Sequence, residues 1–152
     1  MSEVARIQDQ FRRAYEGEAW HGPSLKEALN GVTAKIAIAR PMKKAHTIWE
    51  IILHIDATHR LIHRRLQGKA TTLTDEQDWP SVDKRTDDHW KELLDRLEES
   101  YRDVQSDIAK CKDQDLDKKV TGSESSLYES FHGLIQHDLF HAGQIMVLKK
   151  GT

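Results

Sequence analysis

Two histidines one helical turn apart are the strongest chemical signal in this sequence. His137 and His141 are four residues apart, and residues at that spacing lie on one face of a helix. Two imidazoles so placed can both bind one metal ion at about 2.0–2.1 Å. The pair shares its face with Leu134, Ile145 and Leu148, so both side chains should point towards the protein interior. The alternative is that these are two buried histidines with ordinary hydrogen-bond partners, which fits the same spacing. A metal site would require a third ligand.

The candidates for this third ligand lie on an earlier helix that contains His54, His59 and His63. On a helical wheel His54 lies at one edge of the apolar stripe and His59 lies nearer the other edge, so periodicity does not choose between them. His59 and His63 form a second pair at i, i+4 spacing. Because Arg60 and Arg64 flank His63, we interpret this second pair as part of a solvated or interfacial face.

The remaining four of the nine histidines give weaker signals. His46 comes just before a predicted helix start, where it has a surface or packing role. His89 and His132 lie near helix starts and have no histidine partner at helical spacing. His21 lies in a loop next to a glycine, from which it could reach a site formed elsewhere.

Familiar catalytic motifs are missing from the chain. Cys111 is the only cysteine, so no disulfide within the chain is possible, and we interpret it as an incidental thiol. The zinc-protease pattern HExxH, the G-x-S-x-G nucleophile elbow and the glycine-rich nucleotide-binding loops are all absent. Di-iron bundles use Glu-x-x-His pairs on two helices, which this sequence lacks. An all-histidine site for a single metal ion therefore fits better.

Composition limits the kind of protein that can position these histidines. The 152 residues suit a single domain over 1–152. A mean hydropathy of -0.70 and the lack of a long apolar run exclude a membrane-spanning helix. The 23 basic and 25 acidic residues form no basic stripe, which argues against a nucleic-acid partner. The N-terminal residues lack the apolar run of a signal peptide, so we expect a cytoplasmic location.

Helix-start signals and apolar periodicity predict four long helices. Thr47 and Ser126 are each followed three residues later by a glutamate, which is the capping-box pattern. These signals, with apolar residues at i, i+3 and i+4, predict helices over about 3–16, 47–67, 86–111 and 126–150. Four helices without a credible strand indicate an all-α fold, an antiparallel four-helix bundle. The connections 17–46 and 69–85 are long, so at least one long crossover is expected.

Two segments resemble the DinB/YfiT-like superfamily of metal-binding four-helix bundles. The run from His46 to Ile55 is similar to the family's second-helix motif, which ends in its first metal ligand. The run from Gly133 to Ile145 is similar to the fourth-helix motif, which carries the other two ligands. The loop from Glu18 to Leu25 also resembles family members near their N-terminus, so the resemblance extends along nearly the whole chain.

The resemblance implies a three-histidine site for a divalent ion, nickel or zinc, formed by His54, His137 and His141. Three nitrogen ligands leave a coordination position open for water or substrate, which is typical of a catalytic site. Asp138 and Gln144 would then be groups that orient an imidazole. For Asp138, a hydrogen bond between helices is an equal alternative.

The function that the resemblance implies is a metal-dependent thiol S-transferase. Its cosubstrate would be a low-molecular-weight thiol such as bacillithiol, mycothiol or glutathione, acting on a small-molecule substrate. A metal-dependent hydrolase is an alternative, with His21 or Asp138 as the candidate catalytic base. A non-catalytic, stress-linked protein that binds a metal or small ligand is another. We also expect a homodimer, because Trp49 lies on the outer side of its helix; the alternative for Trp49 is packing against residues 17–46.

Overall fold

Seven α-helices and no β-strand form the protein. The structure is a computed structural model that describes residues 1–152. In chain order the helices are α1 (Glu3–Tyr15), α2 (Leu25–Leu29), α3 (Ala34–Ile38), α4 (Ile48–Leu66), α5 (Asp75–Asp78), α6 (Asp87–Lys110) and α7 (Leu127–Lys150). The all-α class and the four long helices α1, α4, α6 and α7 are confirmed. The short helices α3 and α5 lie in the two long connections and were not predicted.

Each long helix begins at a residue whose hydroxyl accepts a backbone N–H group from the first turn. These capping residues are Ser2, Thr47, Thr86 and Ser126. The two predicted capping boxes are present, because Glu50 and Glu129 each accept the backbone N–H of their own capping residue. A helix cap of this kind contributes about 1 kcal/mol. The helices that carry the three histidines, α4 and α7, therefore start where the sequence predicts.

The long helices form a bundle in which α4 lies between α6 and α7, and α1 contacts the same two helices from the other side. Between α1 and α6, Gln8 contacts Gln105 and Tyr15 contacts Glu98, so these helices run antiparallel. Helix α4 also runs antiparallel to α7, because Ile51 lies near Leu148 and the histidines further along α4 meet the middle of α7.

Helices α4 and α6 run in the same direction. His59 lies beside Ser100, and His63 four residues later lies beside Asp107. Two parallel neighbours require a connection that returns along the bundle. Residues 67–86 provide it, so the expected long crossover is present. This crossover brings α5 and the residues after it to the same end of the bundle as the start of α4.

A single core cluster of 29 buried apolar residues joins all four long helices. In its centre the rings of Tyr15 and Tyr101 stack with their centroids 3.8 Å apart, which fixes α1 against α6. Phe11 meets the imidazole of His59 edge to face at 5.6 Å. No helix combines the length and apolar character needed to cross a membrane.

Trp49 does not lie on an outer face, contrary to expectation. Its side chain is only 3% exposed and its ring lies 5.1 Å from that of Trp90 on α6. The indole N–H of Trp90 in turn donates to the backbone carbonyl of Val32, in the 17–46 connection. The wheel of α4 did not reveal this because α3 covers the outer side of α4. Trp49 thus gives no support for a dimer interface, and the homodimer stays a prediction.

Candidate metal centre

Three histidines from α4 and α7 come together beside the crossover. His54 lies on the second turn of α4, and His137 and His141 lie on consecutive turns of α7. One ring nitrogen from each lies within 4.8 Å of the other two. The closest approach is between Nε2 of His54 and Nε2 of His137, at 2.9 Å. The structure therefore brings together the three residues that the family resemblance implied, with His54 rather than His59 as the third.

The ring of His54 is oriented by Asp78 in the crossover. Nδ1 of His54 lies 2.7 Å from the backbone carbonyl oxygen of Asp78 and 3.1 Å from its carboxylate. Because a carbonyl oxygen only accepts, Nδ1 must donate and therefore carries the proton. Burial lowers the pKa of His54, which favours the neutral ring. A neutral ring protonated at Nδ1 presents the lone pair of Nε2 to the cluster, as a metal ligand must.

His141 is oriented in the same way by a residue on its own helix. Its Nδ1 lies 2.7 Å from Oε1 of Gln144, which is one turn further along α7. Burial is the main cause that lowers the pKa of His141 to about 4; Gln144 opposes this shift, and the neighbouring His137 and His54 add to it. His141 is therefore neutral at physiological pH, with Nε2 free for an ion.

His137 has its other nitrogen beside a buried carboxylate. Nδ1 of His137 lies 3.7 Å from Oδ1 of Asp138, and it is a buried nitrogen without a hydrogen-bond partner. All three imidazoles thus have an oxygen beside Nδ1, an arrangement that commonly orients metal-binding histidines.

Asp138 is completely buried, and its main partner is His59. Nε2 of His59 donates to both carboxylate oxygens, at 2.9 and 3.0 Å, and neither side chain is exposed. Burial raises the pKa of the Asp138 carboxyl, but the facing imidazoles of His59 and His137 outweigh it and hold the pKa below its ordinary value. The spacing of His59 with His63 had suggested a solvated or interfacial face, but His59 is buried and does not belong to such a face. Asp138 makes the hydrogen bond between helices and also lies beside His137.

The arrangement fits a bound divalent ion. An ion held tetrahedrally at about 2.0–2.1 Å separates its ligand nitrogens by roughly 3.3 Å. The nitrogens of the three histidines, 2.9 Å apart at the closest and all within 4.8 Å, bracket that spacing. Two ring nitrogens that face each other at 2.9 Å repel unless a proton or a cation lies between them. The donor set, three imidazoles, suits zinc, copper or nickel.

A comparison with protein-family models gives the same superfamily as the sequence motifs. A family model for the DinB superfamily matches residues 19–145, which is most of the chain. The chain belongs to the DinB superfamily. The match includes all three histidines of the cluster and the crossover between α4 and α6. No curated protein and no solved structure matched the chain.

The DinB motifs of α4 and α7 do not include Trp79, which covers the cluster from the crossover. Its indole stacks on the ring of His54 at 3.9 Å and on the ring of His46 at 3.7 Å, so it lies sandwiched between them. It also meets His141 edge to face at 6.0 Å. One sequence signal was present at this position, a tryptophan in the Asp-Trp-Pro turn of a long connection. Nothing in the chain's periodicity relates that turn to His54.

Of the two candidate catalytic bases, Asp138 lies beside the three histidines and His21 does not contact them. His21 is exposed, and no hydrogen bond, ion pair or ring contact joins it to the three histidines. Asp138 lies beside them but uses both of its oxygens to accept from His59. His63, the other histidine considered on α4, is paired with Asp107 at 2.6 Å and lies apart from the cluster.

Cys111 lies at the far end of the DinB bundle, just after α6. Its thiol donates to the backbone carbonyl of Asp107, and it lies near Leu66, at the last turn of α4. Burial raises the pKa of Cys111, and the charges of Asp115 and Asp107 raise it further. A raised pKa disfavours the thiolate, so Cys111 is a poor nucleophile. This agrees with its interpretation as an incidental thiol.

Proposed function

We propose that this protein is a divalent-metal-dependent S-transferase that uses a low-molecular-weight thiol. The observation that carries the proposal is the convergence of His54, His137 and His141, one ring nitrogen of each lying within 4.8 Å of the other two, with Nδ1 of His54 and of His141 beside an oxygen. These three residues would hold the ion, nickel or zinc. A divalent ion with three nitrogen ligands keeps an open position, where it deprotonates a coordinating thiol at neutral pH.

The protein's own residues support this chemistry by positioning and by excluding water. Asp78 and Gln144 keep the rings of His54 and His141 in the orientation that exposes Nε2. Trp79 covers one side of the cluster and keeps water from that side. Asp138 adds a buried negative charge beside His137, which favours a bound cation.

The nucleophile must come from outside the chain. Cys111 is the only cysteine, and it lies beside Leu66 at the end of α4. Leu66 is twelve residues after His54, so the thiol is roughly 18 Å from His54 along the helix axis. In the proposed reaction the sulfur of the free thiol forms a bond to a carbon of the electrophile. The bond from that carbon to its leaving group breaks, the leaving group keeps the electron pair, and the thiol proton goes to solvent.

The placement of Asp138 favours thiol transfer over hydrolysis. A metal-dependent hydrolase commonly needs a base that removes a proton from water. Asp138 is buried and already accepts from His59 with both oxygens, and His21 makes no contact with the cluster. A thiol has a lower pKa than water, so it loses its proton to solvent without such a base.

The proposal is tested with monochlorobimane, which becomes fluorescent when a thiol displaces its chloride. The full chain is purified without an affinity tag, loaded with nickel or zinc, and assayed with glutathione, bacillithiol and mycothiol separately. We expect acceleration with at least one thiol, and loss of that acceleration on removal of the metal or in His141→Ala. The matched control is His89→Ala, whose ring contacts Thr86 at the start of α6 and none of the three histidines. Acceleration that survives in His141→Ala contradicts the proposal, and no acceleration with any thiol favours the non-catalytic alternative.

A further inference from the structure

A cavity of about 500 Å³ lies next to the three histidines, between α7 and the segment that leads into α4. Six of its nine lining residues are hydrophobic, and they include Met42, Ile51, Phe140 and Leu148. None of the nine lining side chains carries a formal charge when His46, the one histidine among them, is neutral. Small-molecule sites typically have this volume and this mixture of apolar walls with a few polar groups.

Residues that line the cavity contact the histidine cluster. Gln144 lines the cavity, and its side-chain oxygen is the one that contacts His141. Phe140 lines it too, with its ring 5.2 Å from the ring of His141. On the opposite wall His46 stacks on Trp79, and the other face of Trp79 stacks on His54; neither Trp79 nor His54 lines the cavity itself. A molecule in the cavity therefore touches Gln144, which orients His141, and His46, which stacks on the indole that covers the cluster.

The exposed side chains at the rim indicate what the cavity binds. Phe140 is 65% exposed, Val147 59% and Met42 53%, so much of the lining is apolar surface in contact with water. Covering such surface is favourable by about 25 cal/mol per Å². A charged ligand would lose its hydration here and find no opposite charge in the lining. The lining thus favours a neutral, apolar molecule.

We propose that this cavity binds the carbon skeleton of a neutral, apolar substrate, with the reacting end of the molecule towards His141. The inference rests on the proposed function, because it names the substrate class for the same site: an apolar electrophile. A second copy of this chain is the rival occupant, since Phe140 and Val147 are two turns apart on one face of α7. The small molecule is favoured because the surface is concave and two of its lining residues, Phe140 and Gln144, contact His141.

Gly143 offers a way to fill the cavity without touching the histidines. It lines the cavity, and a Cβ added to it meets no atom within 4 Å. Gly133, on the same helix, is equally open at Cβ but lies outside the cavity. Gly143→Leu and Gly133→Leu therefore form a matched pair. Both replace glycine within α7 by a good helix former, which adds up to about 1 kcal/mol of helix stability, so neither should unfold the protein.

The experiment titrates the full chain with N-phenyl-1-naphthylamine, a neutral apolar dye that fluoresces when it leaves water. We expect saturable binding by the unchanged protein and by Gly133→Leu, and binding at least about tenfold weaker, or 1.4 kcal/mol, in Gly143→Leu. The metal content of both variants should equal that of the unchanged protein. Equal dye binding by the two variants, or no saturable binding at all, overturns the proposal.

Two further readouts separate the possible failures. Light scattering gives the oligomeric state, and a change from dimer to monomer in Gly143→Leu alone assigns this face to a second copy and overturns the proposal. Dye binding is repeated after a chelator has removed the metal, where it should persist because no wall of the cavity is a metal ligand. Dye binding without metal binding would mean that the proposed function fails while the cavity still binds apolar molecules. Metal binding without saturable dye binding would mean that the cavity proposal fails while the proposed function still stands.

Discussion

Nε2 of His54 and Nε2 of His137 lie 2.9 Å apart, although the two residues are 83 positions apart in the chain. Nδ1 of His54 donates to the carbonyl of Asp78, so Nε2 of His54 presents a lone pair to its neighbour. Two lone pairs that face each other at this distance repel, so the contact requires either a proton or a cation between the two nitrogens. The contact is the structural reason for proposing a metal site here.

The carboxylate of Asp138 should strengthen metal binding by way of His137. Asp138→Asn keeps the shape of the side chain but removes the charge beside Nδ1 of His137. Loss of a group that orients a metal-binding histidine typically lowers metal affinity about 10–100-fold, and we expect a loss in that range. Competition with a chromogenic chelator measures it. An unchanged affinity would mean that Asp138 serves only its hydrogen bond with His59.

Trp79 should matter for the cluster more than for the fold. Trp79→Ala removes two ring stacks, with His54 and His46, each worth about 0.5–1.5 kcal/mol. We expect metal affinity to fall several-fold, while Trp79→Phe, which keeps an aromatic ring, loses less. The same chelator competition provides the measurement, with urea unfolding as the check on the fold. A large loss of stability with unaltered metal affinity would contradict this role.

Glu50 should make α4 sensitive to acid. Burial raises the pKa of Glu50, but the backbone N–H of Thr47 and the guanidinium of Arg40 outweigh it, so the pKa lies below its ordinary value. A carboxyl group with a lowered pKa in the folded state stabilises the protein above its unfolded pKa of about 4.3 and loses that contribution as the pH falls through the folded value. Glu50→Gln keeps a side chain that can complete the capping box but cannot titrate.

We therefore expect Glu50→Gln to lower the free energy of unfolding at pH 7 by about 0.3–1 kcal/mol, the usual contribution of a negative charge in the first turn of a helix. The difference from the unchanged protein should shrink as the pH falls below 4. Urea unfolding at pH 7 and at pH 3.5, followed by circular dichroism, gives both values. A difference that stays constant between the two pH values would show that the charge of Glu50 does not stabilise the start of α4.

Cys111 should be dispensable for metal binding and for thiol transfer. Cys111→Ser keeps the hydrogen bond to the carbonyl of Asp107 and removes the only thiol of the chain. We expect the bimane reaction and the metal content to be unchanged. If activity disappears in this variant while metal remains bound, the nucleophile is the protein's own thiol, and the proposed use of an external thiol is wrong.

The parts of the fold that depend on neighbouring residues were predictable. Helix starts at Thr47 and Ser126 follow from side chains three residues away, and the predicted ends of the long helices agree with the structure to within about one residue. The pairing of His137 with His141 follows from helix geometry alone. The family resemblance added His54, which periodicity could not distinguish from His59.

The remaining features depend on contacts between distant segments. Both edges of the α4 stripe are buried, one against α7 at His54 and one in the core at His59, so the wheel of a single helix could not separate their roles. Trp79 reaches the cluster because the 67–86 crossover returns along the bundle, and no local pattern encodes that path. Trp49 is buried for a similar reason, since Trp90 of the distant helix α6 packs against it.

The most direct test of the central claim is the metal content of the full chain purified without an affinity tag, measured by mass spectrometry of the elements. The three-histidine site predicts about one divalent ion per chain in the unchanged protein and in His89→Ala. His54→Ala and His141→Ala should each lose the ion while circular dichroism shows an intact helical fold. Stoichiometric metal in either of these two variants would contradict the assignment of the site.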